Sequence, residues 1–280
     1  MDDHFRAFSF VDRITSVQRG APIVGSYTIP ANLDSFPLSL VGEAVGQLAA
    51  WAAMAVVDFK GRPVAGIAGK IVFLAQVQPG QMVDLTVNME SVDDDAAGYG
   101  GVAHVNGIPV IRLEHCVGPM VPVDQFDDPQ ALRDRFALLC STGATSGAFL
   151  GLPPLPLTPE GGESGQWKRG ILQVPASAPF FGDHFPRRPV FPGSLLMDSS
   201  LKLASCLVTE MPAPVRGGKW VVHAVSDLKL RTFIAPGATL HLEARLQEIS
   251  ATSAVLTVET RNKHRAVGGA RVLLTNEVRS

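Results

Sequence analysis

The 280-residue sequence predicts an α+β fold of two similar lobes, each an antiparallel sheet wrapped around one long buried helix. Three observations predict it. The length suits two units of ordinary domain size. Each half carries one helical run too apolar to face water. In each half, strand, turn, helix and a series of strands follow in the same order. With 46% apolar and 18% charged residues, the chain has ample material for a core. A net charge of -2 without a lysine or arginine cluster argues against a nucleic-acid partner, whose phosphates require a basic face.

Taken in order, residues 8–29 read as an entry segment followed by a strand. Pro30 to Pro37 breaks that strand, with Asp34 or Ser35 as candidate N-cap and Pro37 suited to the first turn of a helix. From Leu38 to about Asp58 the run is apolar nearly all round, which predicts a helix buried on most faces. Its only strongly polar interior residues, Glu43 and Gln47, lie four apart and share one face. Strands are then expected over 64–76, 83–89, 99–105 and 108–117, with a Pro79-Gly80 turn and an Asn106-Gly107 hairpin signal.

Residues 1–123 thus form the first lobe. Residues 124–165 read as a connector that starts with an amphipathic helix at 128–136 and is loose near 159–165, where Gly and Pro accumulate. Residues 166–280 repeat the plan: a strand from Trp167, a proline-rich turn, a helix over 193–210, and strands at 220–233, 239–249, 254–263 and 270–278. Phe36-Pro37 aligns with Phe191-Pro192 at an offset of 155, which superposes Glu43 on Asp198 and Ile29 on His184.

Cys116, Cys140 and Cys206 are odd in number and lack metal-ligand spacing, so free thiols and a cytoplasmic location are expected, without metal or redox cofactor. The N-terminus, acidic and without a cleavage pattern, predicts no signal peptide. The apolar run Leu48 to Val57 is too short to span a bilayer, which takes about 20 residues, so no membrane insertion is expected.

The stretch His184-Phe185-Pro186-x-x-Pro189-Val190-x-Pro192-Gly193-x-Leu195-x-x-Asp198 closely resembles the active-site signature of the 3-hydroxyacyl-acyl-carrier-protein dehydratases of the hotdog fold. Phe10-Val11-Asp12-Arg13-Ile14 resembles that family's N-terminal segment, and Glu43-Ala44-Val45-Gly46-Gln47 resembles its acidic helix pattern. The resemblance implies a double hotdog in which each site takes its histidine from one lobe and its acid from the helix of the other. On that pattern His184 pairs with Glu43 and Gln47, whereas Asp198, followed by Lys202 in the glutamine slot, faces Ile29 in a dead site. The resemblance further implies that the Val190 carbonyl orients the imidazole and that the Gly193 amide receives the thioester carbonyl. Phe185 and Phe191 are expected in the wall of an acyl tunnel.

The chemistry follows from the residue types. Removing water from a 3-hydroxyacyl thioester needs a base for the C2 proton, an acid for the departing C3 hydroxyl and a donor for the enolate-like oxygen. Neutral His184 suits the first role and the amide opening a helix at Gly193 the third. Glu43, set in an apolar helix, is expected to be held protonated by desolvation for the second, with Gln47 orienting it. The implied substrate is a thioester on acyl carrier protein or coenzyme A, in fatty acid or polyketide-type synthesis. A hotdog thioesterase and a non-catalytic acyl-binding scaffold are the alternatives. Oligomerisation stays open, because one chain already supplies the pair of lobes.

Overall fold

The computed structural model describes residues 4–18, 20–210 and 218–278; the acidic Met1-Asp2-Asp3 start lies outside them. The first lobe contains β1 (Arg13–Ser16), β2 (Ile23–Thr28), α1 (Leu38–Val56), β3 (Gly61–Pro63), β4 (Ile67–Phe73), β5 (Met82–Val92), β6 (Ala96–Val105) and β7 (Ile108–Pro122). After α2 (Pro129–Leu139) come β8 (Leu157–Glu163), β9 (Trp167–Gln173), α3 (Gly193–Thr209), β10 (Gly218–Leu230), β11 (Thr239–Ile249), β12 (Ser253–Asn262) and β13 (Arg265–Val278).

Among the described residues the strands run β1-β2-β5-β6-β7-β4-β10-β13-β12-β11-β9-β8, with β3 paired to β7 outside this path. Read from either edge towards the centre, the two halves have the same connectivity. They meet at an antiparallel seam of β4 and β10, where Ile71 faces Val225 and Ala68 faces Leu228. The fold is a double hotdog, with α1 and α3 packed side by side against the sheet.

The apolar character of α1 is explained by where it lies. Twelve of its residues are buried, and Leu40, Val45 and Leu48 have no exposure. Each such side chain contributes about 1.5–3 kcal/mol by leaving water. Among the described residues α1 alone is long and apolar enough to cross a membrane, but 67% of that span is packed inside the protein. The sheet is shaped to receive it: a Cβ at Gly101 would stand 2.5 Å from Val45 Cγ1, so glycine there admits the helix. The Asn106-Gly107 pair, both at positive φ (51° and 77°), makes the tight β6–β7 hairpin its sequence predicts.

Three expectations need correction. The N-cap of α1 is Pro37, without a side-chain cap, rather than Asp34 or Ser35. Residues 157–163 of the expected loose connector form β8, the second lobe's counterpart of β1, paired along β9. As an edge strand it tolerates Pro159, whose missing N–H would disqualify it from the sheet interior. Finally, Ile29 is not the counterpart of His184. Its amide bonds Gln81 just as that of Val174 bonds Ala238, so Ile29 matches the end of β9. Eight positions separate Ile29 from Pro37, but eighteen separate Val174 from Pro192. The second lobe therefore carries ten extra residues, and these contain the histidine turn.

Candidate active site

The turn that carries His184 is held from several sides. The His184 amide bonds the Phe180 carbonyl at 2.9 Å, and the Val190 amide bonds the His184 carbonyl at 2.9 Å. The loop closes on itself through the side chain, because His184 Nδ1 lies 2.8 Å from the Val190 carbonyl oxygen. A carbonyl only accepts, so Nδ1 carries the hydrogen and Nε2 is the free lone pair. The His184–Phe185 peptide is cis. Burial pushes the His184 pKa below the ordinary histidine value, with the Glu43 charge and the Val190 carbonyl opposing and the Arg62 charge assisting. The ring is thus neutral at neutral pH.

The N-terminal segment locks onto the same turn. Asp183 accepts the Phe5 amide at 2.5 Å and the Phe8 amide at 2.7 Å, and burial raises its pKa despite those bonds. The Phe8 ring meets the His184 ring edge-on at 5.7 Å.

From the first lobe, α1 presents Glu43 and Gln47 on one face, as their spacing predicts. Gln47 Oε1 accepts the Phe10 amide at 2.8 Å, while Nε2 donates to the Phe8 carbonyl at 2.9 Å and to Glu43 Oε1 at 3.1 Å. Glu43 Oε2 accepts from Ser194 Oγ at 2.7 Å, a contact between α1 of one lobe and α3 of the other. Gly193 opens α3 after an N-cap proline with no side-chain cap, so its amide has no intrahelical acceptor. A Cβ there would come within 2.4 Å of Leu230 Cδ1, a terminal methyl of the seam strand that would have to move aside.

A cavity of about 220 Å³ between the lobes brings together all seven residues the sequence singled out: His184, Glu43, Gln47, Gly193, Val190, Phe185 and Phe191. Asp198 is absent from its wall and pairs instead with Lys202 at 2.7 Å, one turn along α3.

Three residues of this wall escape the sequence reading. Ser194 reaches Glu43 across the lobes. Arg62, on β3, lies over the Phe185 ring at 4.0 Å and pairs with buried Asp127 at 3.3 Å. Burial lowers its pKa to about 10, opposed by Asp127 and then Glu43. Tyr99 bonds the Cys116 thiol, which burial pushes up to about 11, far from nucleophilic. Only the Ser194 position carried a signal, since serine recurs at the matching place in α1 as Ser39.

Residues 156–275 match the family model of the FabA-like domain. The C-terminal lobe is thus similar to a FabA-like domain. Curated relatives agree. The 3-hydroxyacyl-acyl-carrier-protein dehydratase FabZ of Rickettsia felis is 32% identical over 95 residues, covering 32% of this chain and 66% of the relative. The FabZ of Rickettsia bellii is 33% identical over 79 residues, covering 28% of this chain and 54% of the relative. The chain therefore spans between about half and two thirds of the relatives it matches.

Solved structures extend the likeness to both lobes. A Lactobacillus plantarum protein assigned as an oleoyl thioesterase superposes with a TM-score of 0.59 at 10% identity, covering 95% of this chain and all of that one. The 12:0-ACP thioesterase of Umbellularia californica gives 0.52 at 10% identity, covering 99% and 98%. At such identities the likeness establishes the hotdog fold. The match of the C-terminal lobe to the FabA-like model and the likeness of both lobes to these structures agree on a hotdog fold throughout the chain.

Proposed function

We propose that the chain is a dehydratase that removes water from a 3-hydroxyacyl thioester, carried on acyl carrier protein or coenzyme A, to give the 2-enoyl thioester. The observation that carries this reading is His184 with Nδ1 committed to Val190, sharing one cavity with Glu43 of the other lobe. His184 Nε2 takes the C2 proton and Glu43 supplies the proton with which the C3 hydroxyl leaves as water. The Gly193 amide receives the thioester oxygen as negative charge develops, favoured by the α3 dipole. Gln47 holds Glu43, and Phe185 and Phe191 line the acyl path. The relatives named as 3-hydroxyacyl-acyl-carrier-protein dehydratases support this reaction and an acyl-carrier partner, and the pathway proposed with it is fatty acid or polyketide-type synthesis.

Incubation with a 3-hydroxyacyl thioester tests the proposal directly. Enoyl thioester, read by its ultraviolet absorbance, is the expected product. Release of free thiol instead would mark a thioesterase, and unchanged substrate an acyl-binding scaffold; either outcome sinks the dehydratase reading.

A further inference from the structure

The bonding around Glu43 determines which of its two oxygens can carry a proton. Gln47 is oriented without ambiguity, because its Oε1 faces the Phe10 N–H and its Nε2 faces the Phe8 carbonyl. A flipped amide would set donor against donor and acceptor against acceptor. The group presented to Glu43 Oε1 is therefore an N–H, and Oε1 must act as acceptor. A proton on Glu43 belongs on Oε2. There its partner is Ser194 Oγ at 2.7 Å. When Oε2 carries hydrogen, Ser194 is the acceptor, and its own O–H is free to point into the cavity that both residues line.

The mirror position shows that this contact is not a by-product of helix packing. Ser39 and Asp198 occupy the same places in their helices as Ser194 and Glu43 do in theirs. Yet Ser39 Oγ is buried without a hydrogen-bond partner, and Asp198 bonds Lys202. The serine–carboxylate pair forms only on the side where a histidine faces it.

We propose that Ser194 is a catalytic residue that relays the acid proton to the leaving hydroxyl. This rests on the dehydratase reading. As the C3–O bond breaks, the Ser194 proton moves to the departing oxygen and the Glu43 Oε2 proton replaces it on Ser194 Oγ. The C2–H electron pair forms the double bond while His184 Nε2 takes that proton. Water leaves, and Glu43 is left as carboxylate opposite a histidinium; transfer of that proton back resets the site.

The test is single-turnover dehydration of a 3-hydroxyacyl thioester in mixtures of H2O and D2O, with wild type, Ser194→Ala and Ser194→Thr. The relay predicts a bowed proton inventory for wild type and Thr, since two exchangeable protons move together. For Ser194→Ala it predicts a rate lower by about 10²-fold, little change in KM and a linear inventory. Wild-type activity with an unchanged rate or an equally bowed inventory in Ser194→Ala overturns the relay alone. Absence of enoyl product from wild type overturns the dehydratase reading and the relay with it. Failure of Thr to restore the bowed inventory also counts against the relay.

Discussion

The two lobes share strand order, helix position, the prolines that precede their helices and a serine two residues after each proline, but differ where the base and the acid are proposed. The second lobe has ten extra residues between β9 and α3 that form the histidine turn, while the first joins β2 to α1 by the short path. The first keeps Glu43 and Gln47 on the cavity, while at the matching place the second has Asp198 tied to Lys202. On the proposed reading each lobe supplies one half of a reaction site, and a pseudo-symmetric scaffold then needs only one good copy of each part, provided the two copies face each other.

The sharpest way to break that comparison is to remove one part from each lobe. His184→Ala and Glu43→Gln should each lower kcat/KM about 10²–10⁴-fold, and the double variant should lose little more, because the two act in one step. Independent, multiplying losses would show that the parts do not share a site.

Next in size is Arg62→Met. It strands the Asp127 carboxylate, which is 1% exposed, leaving His4 at 3.3 Å as its basic neighbour. Removal of one partner from a buried ion pair costs about 3–5 kcal/mol, so denaturant midpoints should fall visibly while Arg62→Met with Asp127→Asn recovers part of the loss.

The acid limb of the pH profile gives a smaller effect. Since burial holds the His184 pKa down, activity should persist below pH 6.5 before the base is protonated. Stability moves in the same window. The unfolded chain takes up this proton near pH 6.5 and the folded one only at lower pH. The His184 contribution is therefore complete above that value and declines as pH falls towards the folded pKa. Replacing His184 with Gln should flatten this part of a stability-versus-pH curve.

Smallest of all is Asp198→Asn, which should leave kcat within about twofold, since Asp198 forms only a one-turn pair with Lys202 worth about 0.3–0.5 kcal/mol. A loss comparable with that of Glu43→Gln would reverse the assignment of the acid.

Much of this was legible in the sequence because it is local. The 3.6-residue pattern of α1, the Asn106-Gly107 hairpin and the Pro-Gly turns need only their neighbours. The His184 to Val190 bond spans six residues, and the signature that contains both implied it. The less legible parts depend on contacts between distant segments. Arg62 and Asp127 are unremarkable in sequence and become a buried pair only because β3 returns beside the start of the connector. The β8 strand was hidden by its Pro and Gly, which read as loop until an edge position excuses them. Ile29 was misplaced by a constant offset, which cannot see an insertion that keeps both the strand and the helix on either side intact.

Because the β4–β10 seam joins halves that already belong to one polypeptide, the concentration of each lobe that its partner experiences is fixed by the connector and not by the amount of protein in solution. Catalysis that depends on both lobes should therefore keep the same turnover per chain on extreme dilution, and a cut within residues 141–156 should make it depend on how firmly the seam alone can hold.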